Sequence, residues 1–393
     1  MADCTAKLED GVLFITAGGR LDSAAAPGLI ECFQAALKTY DGKDAVLDLE
    51  ECEYITSACL RAVLMLRKAV PGLRITGVRS EVYEIFEMTG FTEMMTVEKA
   101  LRRVSVDGCE VIGHGALGRV YRLSPDTVVK VYRPEYDLED IRRERELARR
   151  AFVLGVPTAI SLDTVRVEQQ YGTLFELLKA KSLAEMLADH EITPEECAVI
   201  CSGLMKQLHT TAAREEDVPA AKPWFVSLAR NASRFLEKPK AQKLIALLEA
   251  LEQPDTLIHG DLHIKNIMLQ NGEPMLIDMD TLRRGHPILE LAGLALAYYA
   301  YAVFNPGNTF DFFGVEKEIV NGLWDRVLAL YLDTDDEKRV ESVKDKSKLI
   351  ALTVIICRES RDGIPADPRV LRSFNGHIRL LGELLGWVDS LAF

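Results

Sequence analysis

Leu257-Ile258-His259-Gly260-Asp261-Leu262-His263-Ile264-Lys265-Asn266-Ile267-Met268 is the stretch on which the reading turns. Apolar pairs at both ends bracket a polar middle, so it reads as a loop held between buried segments. An Asn271-Gly272 turn follows, then Met275-Leu276-Ile277-Asp278-Met279-Asp280, read as an apolar strand carrying acids. His259 and His263 invite a zinc reading. An i, i+4 pair in a non-helical, Gly-containing loop is poor geometry for that metal. What remains is an Asp261, Asn266, Asp278 set, which chance seldom supplies downstream of the features that precede it.

Upstream stands Gly113-His114-Gly115-Ala116-Leu117-Gly118-Arg119-Val120, between Val111-Ile112 and Tyr121-Arg122-Leu123. Glycines joining two β-like arms let backbone N–H groups approach phosphates without a Cβ in the way. A dinucleotide-binding turn would open a helix, whereas Val120–Leu123 and Thr127–Val131 continue as strands. Val128-Val129-Lys130-Val131 places one lysine in an apolar strand, which is costly unless the charge is paired. The bland alternative is an edge-strand lysine facing water. Helical spacing over Leu138–Phe152 puts Glu144 with Ile141, Ala148 and Ala151 on the inward side, so Glu144 is the expected partner and Glu146 points away. Tyr171–Leu178 predicts a further strand, and His209 a packing residue.

The D-x-x-x-x-N spacing of Asp261 and Asn266 equals that of the kinase catalytic loop. HGDLHxxNIM followed by LIDxD resembles the aminoglycoside and choline kinase branch of the protein-kinase-like superfamily, over about Val104 to Ala292. The resemblance implies an α+β two-lobed fold binding ATP and Mg²⁺ in the cleft between lobes. It implies that Gly113, Gly115, Gly118 and Val120 cover the phosphates, and that Lys130, paired with Glu144, binds them. Backbone around Glu176 and Leu178 would meet the adenine. Asp261 would take the proton of the substrate hydroxyl, His259 brace the loop, and Asn266 and Asp278 hold Mg²⁺. Asp280 is a second acid of less defined role. In Gly285–Ala292, Glu290 departs from the family's usual Asp, and residues 293–393 read as helices without a motif.

Residues 1–100 alternate strands (Val12–Thr16, Ala45–Leu49, Leu73–Thr76) with helices (Pro27–Tyr40, Ser57–Val70, Glu81–Met88), predicting an α/β layer with a partly parallel sheet. Leu47-Asp48-Leu49, Tyr54-Ile55-Thr56-Ser57-Ala58-Cys59-Leu60-Arg61 and Thr89-Gly90-Phe91 resemble a STAS domain, the anti-sigma-factor antagonist module. Ser57 matches that family's phosphorylated Ser, though Thr56 replaces its Asp and Cys59 its Gly. A phosphate at a helix N-terminus is stabilised by free N–H groups, while the plain alternative makes Thr56 or Ser57 an N-cap. The division predicted is 1–100 STAS-like, 101–178 kinase-like N-lobe and 179–393 helical C-lobe.

Residues 1–100 hold 10 Lys+Arg against 16 Asp+Glu, and the remainder 37 against 44, so both parts are acidic. That balance argues against nucleic acid or anionic membrane as partners. Met1-Ala2-Asp3-Cys4 lacks the basic start of a signal peptide, and Leu291–Phe304 is too short to span a bilayer. Eight scattered cysteines without a CxxC pair read as reduced thiols, and the expected location is the cytoplasm.

Three functions fit. The first is a small-molecule kinase acting on a hydroxyl, with the STAS-like module as sensor, tether or docking site for a protein partner. The second is a regulatory Ser/Thr kinase acting on a STAS domain, Ser57 in its own chain included. The third is a non-catalytic nucleotide-binding scaffold, which the joint presence of Lys130, Asp261, Asn266 and Asp278 disfavours.

Overall fold

The computed structural model describes residues 3–9, 11–115 and 117–393, which divide into two compact units, Met1–Val104 and Ser105–Phe393. Ala116 of the glycine-rich motif lies outside the described residues.

The first unit runs β1 (Asp3–Glu9), β2 (Val12–Leu21), α1 (Ala26–Leu37), β3 (Asp44–Asp48), β4 (Cys52–Ile55), α2 (Ser57–Ala69), β5 (Gly72–Val78), α3 (Ser80–Met88), α4 (Phe91–Met94), β6 (Val97–Lys99) and the short β7 (Arg102–Arg103). Its sheet has the order β1-β2-β3-β5-β6, with β4 beside the far end of β2. Only β1 is antiparallel to its neighbour; β2–β3, β3–β5, β5–β6 and β2–β4 are parallel. The reason is binary pattern: Ile15, Leu47 and Ile75 are fully buried and meet Leu29 and Phe33 of α1, Val63 and Leu66 of α2 and Phe86 of α3 in one core. Each such side chain contributes about 1.5–3 kcal/mol on burial.

The sequence reading missed β1, β4 and β6. Each is short, polar or at an edge, and DCTAKLE lacks a clean apolar alternation. Not all the cysteines are the reduced thiols expected. Cys4 of β1 and Cys32 of α1 form a disulfide, with Cα atoms 6.3 Å apart. Folding brings an edge strand against a helix 28 residues away, a proximity no spacing rule carries.

The second unit opens with β8 (Val111–His114), β9 (Gly118–Ser124), β10 (Thr127–Tyr132), α5 (Leu138–Val153), β11 (Ser161–Val167) and β12 (Gln170–Glu176). The strands lie in the order β11-β12-β10-β9-β8, all antiparallel, with β10 at the centre. A helical part follows: β13 (Lys181–Ser182), α6 (Leu183–Ala188), α7 (Pro194–Thr210), α8 (Lys222–Ala232) and α9 (Lys238–Glu249). Short strands β14 (Leu257–Ile258), β15 (Ile267–Gln270), β16 (Glu273–Leu276) and β17 (Arg283–Arg284) carry the loops of interest. The chain ends in α10 (Ile288–Ala295), a π-helical turn at Leu296–Ala300, α11 (Gly307–Phe313), α12 (Lys317–Tyr331), α13 (Glu337–Glu359) and α14 (Pro368–Leu384). Capping boxes at Ser182 and Thr193 start α6 and α7. The centre of the lobe is α13, buried almost continuously from Leu349 to Ile356 and packed on α10, α8 and α14. Among the described residues no helix is long and apolar enough to cross a membrane.

Candidate active site

Lys130 sits mid-way along the central strand β10, between Val120 of β9 and Thr173 of β12. Only 8% of it is exposed, so its charge must be met inside the protein. Its ammonium donates to Glu144 Oε1 at 2.8 Å and to Asp278 Oδ1 at 2.7 Å. Glu144 reaches it because Asp137 caps α5 through Asp140 N–H, and Ile141, Glu144, Leu147, Ala148 and Ala151 share the buried face of that helix. Burial pulls the Lys130 ammonium towards neutrality, but the Asp278 and Glu144 carboxylates outweigh it and hold its pKa well above the lysine range. Glu146 pairs instead with Arg149 and Arg150 on the outer face.

The glycine motif forms the β8–β9 hairpin, where Gly115 N–H donates to Gly118 O at 2.9 Å. Gly118 is there for packing: a Cβ at that position would lie 2.0 Å from Val131 O on β10. At Gly113 and Gly115 a Cβ would meet nothing among the described residues closer than 3.4 Å, so packing does not demand glycine there. At the other edge, Glu176 N–H donates to Ile160 O and Glu176 Oε1 accepts from Ile160 N–H, both at 3.1 Å. Leu177 N–H is taken by Asp126 O, so of this segment Leu178 and the Glu176 carbonyl remain for recognition.

The loop from His259 to Asn266 is nailed down by its buried side chains. Leu262, Ile264 and Ile267 are fully buried, which turns Asp261 and Lys265 away from the core. His259 is buried with both ring nitrogens engaged: Nδ1 accepts from Asp261 N–H at 3.3 Å, so Nε2 donates to Ile277 O at 3.0 Å. Burial keeps this imidazole below its usual pKa and therefore neutral. Asn266 Nδ2 donates to Asp261 O at 2.9 Å and to Asp261 Oδ2 at 3.3 Å, and no donor among the described residues meets its own carbonyl oxygen. His263 Nε2 lies 3.7 Å from Asp261 Oδ2.

Asp278 is not on a strand, contrary to expectation. β16 stops at Leu276, Asp278 takes a left-handed conformation (φ 59°), and Met279–Thr281 make a 3₁₀ turn. A strand would have sent Asp278 and Asp280 to one face in register; the kink instead presents Asp278 to Lys130 with 43% of its side chain exposed. Burial raises the Asp278 carboxyl, and the neighbouring Lys130 charge and hydrogen bond overcome that and leave it below the usual range. Asp280 is half-buried among like charges; desolvation and the Glu144 carboxylate push it up to about 7. Asp278 and the Asn266 carbonyl offer hard oxygen donors, which suit Mg²⁺ when substrate phosphates complete its shell. No cluster of three or more His, Cys, Asp or Glu among the described residues makes a metal cage on its own.

Glu290, the residue that departs from the usual Asp, braces the loop from behind. It is fully buried on α10 and accepts from the backbone N–H groups of His259, of Gly260 (3.0 Å) and of Leu262 (3.4 Å). His209 Nε2 lies 3.9 Å away, with His209 Nδ1 bonded to Tyr331 OH at 2.7 Å; burial holds this imidazole at about 3. Burial outweighs the three N–H donors and pushes the Glu290 carboxyl up to about 7 from an ordinary 4.5. The folded chain thus binds this proton more tightly than the unfolded one. The stability it adds is complete below about pH 4.5 and is lost as pH rises through about 7. Urea unfolding of wild type and Glu290→Gln at pH 5 and pH 8 should show the wild-type advantage shrinking by roughly 1–3 kcal/mol at the higher pH. An advantage that grows with pH would contradict this.

In the first unit Ser57 is exposed at the first position of α2. Thr56 occupies the N-cap position, but its hydroxyl donates to Leu21 O at 3.1 Å and caps nothing. Neither residue makes the side-chain cap that the plainer reading expected.

A family model described as "Phosphotransferase enzyme family" matches residues 108–311, and one described as "Mlab, STAS domain" matches residues 4–98. No protein of curated function matches. Similar solved structures include ADP-bound aminoglycoside phosphotransferase APH(2'')-Ib (16% identity, 77% of this chain and 98% of that one, TM-score 0.48). A gentamicin complex of APH(2'')-IIa follows at 13% identity, 75% and 95% coverage and TM-score 0.47. A choline/ethanolamine kinase family protein from Mesorhizobium loti has 14% identity, 72% and 92% coverage and TM-score 0.44. With the family model spanning more than half its length and a kinase-like two-lobed α+β unit behind a small α/β one, the chain belongs to the phosphotransferase enzyme family and carries an N-terminal STAS domain.

Proposed function

We propose that the chain transfers the terminal phosphoryl group of ATP to a hydroxyl of a small molecule, with Mg²⁺ as the metal and the STAS domain as its regulatory module. The observation that carries this is the Lys130 ammonium bonded at once to Glu144 and Asp278, residues 14 and 148 positions away. A buried cation held between two acids is poised to exchange contacts with phosphate oxygens at little reorganisation. Bound Mg²⁺ would neutralise charge on the transferring group, with Asn266 and Asp278 as its protein ligands.

The remaining steps belong to this chain's own side chains. The glycine hairpin of Gly113, Gly115 and Gly118 covers the phosphates, and Lys130 holds them. Asp261 is oriented by Asn266, and with 42% of its side chain exposed it is free to meet an incoming hydroxyl. The acceptor oxygen bonds to the terminal phosphorus as the bond to the β-bridging oxygen breaks; ADP leaves, and the hydroxyl proton passes to Asp261. Glu290 and His259 act one layer back, as positioning residues. Ser57 stays in this reading as an exposed phosphate acceptor through which the STAS domain would be regulated.

Calorimetry should find saturable ATP binding that needs Mg²⁺ and weakens with EDTA. With γ-labelled ATP, the label should move to a small-molecule hydroxyl. A chain that binds no nucleotide, with or without Mg²⁺, would remove the proposal.

A further inference from the structure

Lys265 is the one charged side chain of the 259–266 loop for which the phosphoryl-transfer reading has no use. It immediately precedes Asn266 and is half-buried, yet no carboxylate among the described residues pairs with it. Its ammonium lies instead 4.3 Å from the ring centroid of Phe312. A ring face satisfies an ammonium only weakly, since it supplies no hydrogen-bond acceptor.

Phe312 is built as a wall. On the short helix α11, Phe313 turns inward and packs edge-on against Tyr298 at 5.3 Å, while Phe310 and Phe312 stay 53% and 44% exposed. Phe312 leans on Phe313 at 4.7 Å and on the His263 ring at 5.3 Å. Tyr298 in turn accepts from Ile264 N–H at 3.3 Å, so the aromatic stack and the Asp261 loop form one packed assembly. Its outer surface therefore combines an exposed ring, an unpaired ammonium and, through His263, the carboxylate of Asp261.

The geometry points to Lys265 and Phe312 as the acceptor subsite, and to an acceptor that carries an anionic group and an apolar body beside its hydroxyl. The inference rests on the phosphotransferase reading above and adds the substrate class. A half-desolvated ammonium gains most from an anion, and a rigid exposed ring gains most from apolar area laid on it. A polycation would be repelled by Lys265 at that position.

Three probes share one ring and differ in charge: 3-phenyllactate is anionic, 3-phenyl-1,2-propanediol neutral and phenylalaninol cationic. Calorimetry on the full chain saturated with Mg²⁺ and ADP should find phenyllactate binding about 10–100-fold more tightly than the other two. Lys265→Met should bring phenyllactate down to the level of the diol, Lys265→Arg should keep its advantage, and Phe312→Ala should weaken all three. Equal binding, no binding of any probe, or preference for the amine overturns the inference. A Lys265→Met chain that loosens ADP as much as phenyllactate also overturns it, by assigning the lysine to the nucleotide. Failure of ADP to bind the parent chain strikes the phosphotransferase reading itself, whereas ADP binding without anion preference strikes the subsite alone.

Discussion

Asp261→Asn is expected to lower phosphoryl transfer by about 10²–10⁴-fold, the usual contribution of a positioned general base. Asparagine keeps the shape and one acceptor oxygen, so the Asn266 Nδ2 contact has a partner and the backbone bonds to Glu290 are unchanged. The side chain is 42% exposed, so the swap strands no buried charge. Nucleotide affinity and melting temperature should therefore stay close to the parent while single-turnover rates fall. Undiminished turnover would strip Asp261 of its part in proton transfer.

Lys130→Met should act on stability and rate together. Removing the cation leaves Glu144, 7% exposed, as a buried carboxylate without its ion-pair partner. Breaking a buried pair in this way costs about 3–5 kcal/mol. Losing one preorganised donor to the phosphates costs a further ~10²–10³-fold in turnover. The two effects are separable. In the double variant Lys130→Met, Glu144→Gln the buried charge is gone, so urea unfolding should recover part of the loss while turnover stays low. A double variant that regains both would reduce Lys130 to a structural ion.

What could be read from the chain was whatever the chemistry writes locally. The 257–268 loop needs its acid, its amide and its buried anchors within a dozen residues, so its outline was legible. The inward position of Glu144 followed from Ile141, Ala148 and Ala151 on one helical face. The STAS layer was legible because strands such as Ala45–Leu49 and Leu73–Thr76 alternate with helices, an order that calls for a partly parallel sheet covered by them.

The rest depends on residues that meet only after folding. Glu290 grips backbone N–H groups 28 to 31 positions earlier, and a carboxylate that binds backbone leaves no partner pattern to recognise. Lys130 meets Asp278 across 148 positions, and Cys4 meets Cys32 across 28. The left-handed turn at Asp278 was misread as strand because Met275-Leu276-Ile277 is apolar and runs straight into it. Phe312 could not be told from any surface aromatic until α11 was seen to fold over the loop.

Gly293 lies one turn along α10 from Glu290, and a Cβ there would stand 2.7 Å from Gly260 O. The Asp261 loop thus takes its coordinates from helix backbone as well as from a carboxylate on the same helix. Slippage of α10 by a fraction of an ångström, too small to register in a melting curve, would arrive undiluted at the reacting atoms, where a 1 Å misplacement can forfeit ~100-fold. For anyone evolving this catalyst toward new alcohols, residues 288–295 are a keel to leave alone, while the exposed rings of α11 are the rigging that can be changed.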